Sequence, residues 1–281
     1  VGCQTFYQYE MDRKVAVYSP ASKAYVSIPQ PATNILLKNF KDKGKLLKAN
    51  PSASLIDLGE GVLCVEFHTK MNALDADIST MCNEALDRIE SDYDGMVVGN
   101  DAENFSAGAN LFMVVMGAQS GMWDQLETAV STLQNLNMRM RYCPKPVVVA
   151  PVGLALGGGA EVTMHANRVV AGAELYIGCV EIGPGVIPAG GGTKELVRRI
   201  VNPPMRTQNA EPLPYVQRVF ELIGLAKVAT SAEEGREMGF LLPTDRIVMN
   251  RNHLMAEAKK EVLHMISTGY KAPIPEKIFA A

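Results

Sequence analysis

From Ser54 onward, short β-branched apolar runs alternate with stretches in which apolar residues recur every three or four positions. That alternation predicts a mostly parallel sheet with crossover helices. Ser54 to Leu58 and Val62 to Phe67 read as strands around a Gly59-Glu60-Gly61 turn. Asp75 to Ile89 reads as a helix, because Ile78, Met81, Cys82, Ala85, Leu86 and Ile89 fall on one face. Gly95 to Gly99 and Val147 to Val152 are continuously apolar, as strands buried on both faces are, and a further short strand is predicted near Leu175 to Gly178. Asp101 to Gly108 reads as a loop, and Leu111 to Met140 as helical segments with a break near Gly117 to Gly121. Beyond the centre, Pro203 to Pro214 reads as a polar, proline-rich loop. Tyr215 to Ala226, Ser231 to Met238 and Asn252 to Ile266 read as helices, the second opening on a Ser-Ala-Glu-Glu capping box. Residues 1–52 have a different texture. Met11 to Pro29 suggests short polar strands, and Ile35 to Ala49 carries leucines and lysines at mixed helical spacing. The pattern therefore divides into an N-terminal extension or connector (1–52), an α/β core (53–250) and a C-terminal helix with a proline-containing tail (251–281).

Candidate chemistry concentrates between Lys145 and Arg199. Gly157, Gly158 and Gly159 follow a buried strand and lead into a helix start that places Glu161 in the first turn. Glycines at such a junction let the backbone approach a ligand with its N–H groups unshielded. The run lacks the lysine of a phosphate loop and is not GxGxxG, so a polarised carbonyl oxygen fits better than a nucleotide phosphate. Glu181 follows the next strand, and two carboxylates from separate elements could share proton transfer beside that oxygen. Ser106 lacks a GxSxG elbow and reads as structural. The methionine-rich region, with Phe112, Met113, Met116, Met122 and Trp123, could wall an adaptable apolar pocket, although plain core packing is the favoured reading.

Composition narrows the classes. A chain of 281 residues with 47% apolar content can bury a full core, and a net charge of −3 gives no reason to propose nucleic acid. The five cysteines are scattered without CxxC pairs, which suits reduced structural thiols in a cytoplasmic protein. The four histidines show no metal-ligand spacing, and His165 is expected on a helix flank. No metal site is predicted. The longest apolar run, Val147 to Ala160, is broken by proline and glycines and is too short to span a bilayer.

At these residues the chain resembles the crotonase (enoyl-CoA hydratase/isomerase) superfamily. GLALGGGAE is similar to the turn carrying that family's first catalytic glutamate, and VEIGPGVIPAGGGTKEL to the segment carrying the second. Asn104 to Leu111 resembles its F-x-A-G-A-D-L oxyanion segment, and Lys70 to Leu74 its N-A-L coenzyme-binding turn. The F-x-x-G-A-N-L wording resembles the hydratase part of bacterial fused 3-hydroxyacyl-CoA dehydrogenase/enoyl-CoA hydratase proteins. The resemblance implies a crotonase (ClpP-like) fold of repeated strand-strand-helix units, here with an N-terminal extension and a shortened C-terminal helical part. It implies Glu161 and Glu181 as the catalytic pair, the former acting mainly on water and the latter on the Cα proton. The backbone N–H groups of Ala109 and Gly158 would form the oxyanion hole. Lys70, Met71, Ala73, Ala107, Asn110, Leu154 and Gly157 would contact substrate, with solvated surface charge an equal alternative for Lys70. The implied reaction is reversible hydration of 2-enoyl-CoA in fatty acid β-oxidation, with no resident cofactor, since coenzyme A enters as part of the substrate. An isomerase and a catalytically silent acyl-CoA-binding domain are the alternatives. A start at Val1 rather than methionine leads to the expectation of a piece of a longer chain, partnered by a dehydrogenase domain, and a homo-oligomer is left open. Two departures stand out: Asn110 in place of the usual aspartate, and Val180 in place of the proline before the second glutamate.

Overall fold

In the computed structural model, residues 5–10, 13–28, 34–208 and 210–279 are described. They form two compact units, Val1–Asn34 and Ile35–Ala281. The first is a three-stranded antiparallel sheet of β1 (Tyr7–Glu10), β2 (Arg13–Ser19) and β3 (Ala24–Ser27). Tyr18 and Tyr25 sit opposite one another across β2 and β3, with their rings edge-on at 5.6 Å.

The larger unit begins with α1 (Leu37–Asp42), β4 (Leu46–Ala49), β5 (Ala53–Asp57), β6 (Val62–Phe67), α2 (Ala76–Ser91) and β7 (Gly95–Val98). There follow α3 (Leu111–Gln119), α4 (Trp123–Tyr142), β8 (Val147–Val149), β9 (Gly153–Leu156), α5 (Gly158–Met164), β10 (Arg168–Gly172) and β11 (Leu175–Gly178). The unit ends with α6 (Gly192–Ile200), α7 (Asn202–Gln208), α8 (Leu213–Gly224), α9 (Ala232–Met238), β12 (Arg246–Val248) and α10 (Leu254–Ser267). Seven strands form one sheet in the order β12-β10-β8-β7-β6-β5-β4, parallel from β6 to β12 and antiparallel at β4 and β5.

Alternation along these strands feeds two cores. Leu63, Val65, Met96, Val98, Val147 and Val149 face the layer holding α2 and α4, whereas Val62, Cys64, Val97 and Val148 face α10 and Leu37. Ile35 to Ala49, set apart by the chain pattern, belongs to the larger unit: β4 pairs with β5, and Leu37 is fully buried. The C-terminal helix likewise covers the sheet's second face.

Several local expectations are corrected. Val147 to Val152 is not one strand, because Pro151 separates β8 from β9. Pro203 and Pro204 lie inside α7, in its first turn, where a missing N–H leaves no intrahelical bond unmade. Strands β10 and β12, flanked by arginines, went unpredicted. The α3 segment is not core packing, since it contains no buried residue and leaves Phe112 and Met113 exposed. The capping box forms in altered shape: Ser231 Oγ accepts from Glu234 N at 3.1 Å, while the Glu234 carboxylate reaches back to Thr230 rather than to Ser231. All of Cys64, Cys82, Cys143 and Cys179 are buried free thiols; Cys3 lies outside the described residues. Among the described residues no helix is long and apolar enough to cross a membrane, and no cluster of metal-ligating side chains occurs.

Candidate active site

Two short parallel strands, apart from the main sheet, lead into the segments that bear the two candidate glutamates. β9 and β11 pair from Gly153 opposite Leu175 to Leu156 opposite Gly178, and Gly157 N donates to Gly178 O at 2.9 Å. The register brings the ends of both strands to one place, so the chain segments bearing Glu161 and Glu181 leave from adjacent points. Gly157 adopts φ 53° and ψ −121°, a backbone conformation essentially reserved for glycine, and thereby turns β9 sharply into α5. A Cβ at Gly157 would lie 3.3 Å from Glu181 Oε1, so this carboxylate rests directly over the turn.

Glu161 is buried, and its Oε1 accepts from Gly192 N at 2.8 Å. A Cβ at Gly190 would sit 2.4 Å from Glu161 Oε2. The second glycine run therefore wraps the carboxylate as closely as backbone can. Burial raises the Glu161 pKa against the opposing pull of the Gly192 and Gly190 amides. Glu181 is pushed up to about 7, first by burial and then by the negative charge of Glu161. Its Oε2 is buried without a hydrogen-bond partner among the described residues. Glu181 is therefore the carboxyl that still carries a proton close to neutrality, and the negative charge of Glu161 favours that proton.

The candidate oxyanion segment pairs alongside β9 through its backbone. Phe105 N and Ser106 N donate to Val152 O and Leu154 O at 2.8 and 2.9 Å, Ala107 N donates to Met71 O at 3.0 Å, and Leu74 N donates to Gly108 O at 2.8 Å. Met71 and Asn72 take positive φ values of 57° and 50°, a strained turn held by Asn72 Nδ2 bonding to Asn104 O. This lattice brings Ala109 beside Gly158: a Cβ at Gly158 would be 3.7 Å from Ala109 N. Neither the Ala109 nor the Gly158 N–H has an acceptor among the described residues. Two adjacent free donors beside two carboxylates can stabilise a developing oxyanion while protons move.

The structure thus brings Ala107, Ala109, Leu154, Gly157, Gly158, Glu161 and Glu181 together, and Met71 and Ala73 join them through the turn before α2. Lys70 is exposed on that turn and has no ion pair among the described residues; Asn110 is exposed and precedes α3 without capping it. Residues that lie within the motifs but carry no individual role in the sequence are Leu74, which packs on Gly158, and Gly190 and Gly192, which enclose Glu161. Asn137 lies outside the motifs, and its Nδ2 donates to Gly190 O at 2.9 Å. The repeat of three glycines at 190–192 was the available signal. His165 is not on a helix flank but fully buried.

Ser106 is also fully buried, its Oγ donating to Asn72 O at 2.7 Å and accepting from Gly108 N at 3.1 Å. Its proton and one lone pair serve the loop. Ser106→Ala leaves a buried carbonyl and a buried N–H unpaired, so it is expected to cost about 1–3 kcal/mol, seen as a lower urea midpoint at unchanged slope.

The model of the Enoyl-CoA hydratase/isomerase family matches residues 57–207, more than half of the chain and all of this site. The chain belongs to the enoyl-CoA hydratase/isomerase family. This family member is 39% identical over 277 residues to a Bacillus subtilis (strain 168) protein named "Probable 3-hydroxyacyl-CoA dehydrogenase", covering 99% of this chain and 34% of that one. It therefore spans about a third of that relative's length. Among solved structures, the enoyl-CoA hydratase of Bacillus anthracis matches with 25% identity and a TM-score of 0.61 over 78% of this chain and 77% of that one. An enoyl-CoA hydratase from Polaromonas sp. JS666, at 22% identity and a TM-score of 0.64 over 76% and 77% of the two chains, shows the same fold.

Proposed function

We propose that this enoyl-CoA hydratase/isomerase family member adds water reversibly to 2-enoyl-CoA, giving 3-hydroxyacyl-CoA, within fatty acid β-oxidation. The observation that carries the reading is the meeting of a buried carboxylate, Glu161, and a half-buried one, Glu181, whose pKa the first helps to raise, at the turn that also presents two free N–H groups. The thioester carbonyl oxygen accepts from Ala109 and Gly158, which draws charge onto that oxygen and makes Cβ electrophilic. Glu161 takes a proton from water as its oxygen bonds to Cβ. Glu181 delivers its proton to Cα as the enolate collapses, so the atoms of one water are added. Proton exchange through solvent then restores the pair. These steps need neither metal nor redox cofactor, and coenzyme A arrives on the substrate, with Lys70 available to its phosphates. Isomerisation could use the same hole with one carboxylate; the presence of both favours hydration. The relative's name supports a dehydrogenase partner that oxidises the product.

The test is hydration of crotonyl-CoA, followed by loss of enoyl absorbance and run across pH. Both directions need the singly protonated pair. kcat/KM is therefore expected to trace a bell whose alkaline limb is centred at about 7, where Glu181 loses its proton. Absence of hydration in folded protein, with conversion of a 3-enoyl-CoA, would assign the site to isomerisation; absence of both, with acyl-CoA still bound, would leave a binding domain.

A further inference from the structure

His165 is the C-cap of α5, one turn beyond Glu161, and lies under the glycine turn that wraps the Glu161 carboxylate. A Cβ at Gly191 would approach His165 Cε1 and Nε2 at 3.0 and 3.1 Å, so the ring edge abuts the middle of that turn. Gly190 and Gly192, on either side, are the residues against the carboxylate. His165 Nδ1 is 2.7 Å from Glu161 O. A carbonyl only accepts, so Nδ1 carries the hydrogen and Nε2 offers its lone pair. That lone pair faces Lys194 Nζ at 3.0 Å. The ammonium also contacts Glu195 Oε1 at 3.1 Å, which in turn is 3.8 Å from His165 Nε2. Arg141 of α4 closes the group, 3.3 Å from Glu195 Oε2. Burial holds the imidazole down at about 4, against the opposing pull of Glu195, so it is neutral across the working range. From the α4 side, Asn137 and Gln134 donate to Gly190 O and Ala189 O at 2.9 and 2.7 Å. The turn is thus fixed between α4 and the ring.

We propose that His165 is a positioning residue for the proposed hydration: its neutral ring, pinned between the Glu161 carbonyl and the Lys194 ammonium, sets the height at which the Gly192 amide holds the Glu161 carboxylate. This rests on the reading of Glu161 as the base, and the ring itself touches no reacting atom. Removing the prop lets the turn sag and weakens the Gly192 bond, which favours ionised Glu161. Glu161 should then titrate higher and orient water less well.

His165→Leu removes both nitrogens, whereas His165→Gln keeps an acceptor within reach of Lys194. In His165→Leu, kcat for crotonyl-CoA is expected to fall about tenfold or more with KM little changed, and the acid limb of the rate profile to move up by about half a unit. His165→Gln should recover most of the rate. The Glu161 carboxyl titration, followed by 13C NMR and assigned by its loss in Glu161→Gln, should move in the same direction together with the Gly192 amide resonance. That readout needs no turnover. A wild type inert toward crotonyl-CoA would refute the hydratase reading, while an upward Glu161 shift in His165→Leu would still uphold the prop. A folded His165→Leu whose Glu161 titration and Gly192 amide match wild type overturns it. If that variant does not fold, Lys194→Met, which frees Nε2 and leaves the ring, decides the matter: Glu161 should again shift upward, and an unmoved Glu161 refutes the proposal.

Discussion

Glu181→Gln is expected to lower kcat for crotonyl-CoA hydration about a thousandfold, within the range that a positioned acid or base contributes, while KM barely changes. The amide keeps the shape of a side chain that lies over Gly157, so the loss isolates the proton. Glu161→Gln should suppress hydration to a similar degree, and its amide oxygen can still accept from Gly192 N. The two variants should part company on a second reaction. Exchange of the Cα proton of a bound saturated acyl-CoA needs only the group facing Cα and the oxyanion donors. Some exchange should therefore survive in Glu161→Gln and vanish in Glu181→Gln, as read by deuterium incorporation. Glu161→Gln should also lower the alkaline limb, because the charge that helps to hold Glu181 at about 7 is gone. Wild-type hydration in both variants would remove these residues from the mechanism.

Gly158→Pro is expected to cost about a hundredfold or more in kcat, the scale of one lost oxyanion donor. Proline is tolerated at the first position of a helix, where the N–H has no intrahelical partner, and Gly158 is the first residue of α5. A new Cβ would, however, meet Leu74 Cδ1 at 2.9 Å. Gly158→Ala introduces the same crowding and keeps the donor, so the ratio between the two variants measures the N–H itself. Equal rates in folded Ala and Pro variants would place the hole elsewhere.

The assembly of the candidate site was legible because its parts are local. A glycine run at a strand end, a glutamate one turn later and a second strand ending near another glutamate are all sequence-adjacent patterns, and only the β9–β11 register was needed to join them. What escaped depends on distant surfaces. The enclosure of the Glu161 carboxylate is one such feature, because Gly190 and Gly192 arrive from another element. His165 looks like a helix flank because its burial comes from α6 and not from its own helix. The methionines of α3 look like core, yet nothing among the described residues covers that helix enough to bury a side chain. Strands β10 and β12 are short, begin with arginines and owe their state to pairing with each other and with β8. Pro203 and Pro204 carry the signature of a loop and of a helix's first turn alike, and position within α7 decides between them.

The two-strand ribbon of β9 and β11 has a consequence for how such a domain can change over time. Most of the apolar burial belongs to the seven-stranded sheet and its flanking helices, whereas the carboxylates take their alignment from a ribbon four residues long on each side. Bulk packing and the alignment of the two candidate carboxylates therefore reside in different neighbourhoods of one fold. Losses of packing in the sheet can be repaired elsewhere in the sheet without disturbing alignment, but a slip of one residue in the ribbon would exchange its faces and has no remote remedy. The ribbon is accordingly a stretch whose register cannot be restored from elsewhere, even though it is far shorter than the sheet beside it.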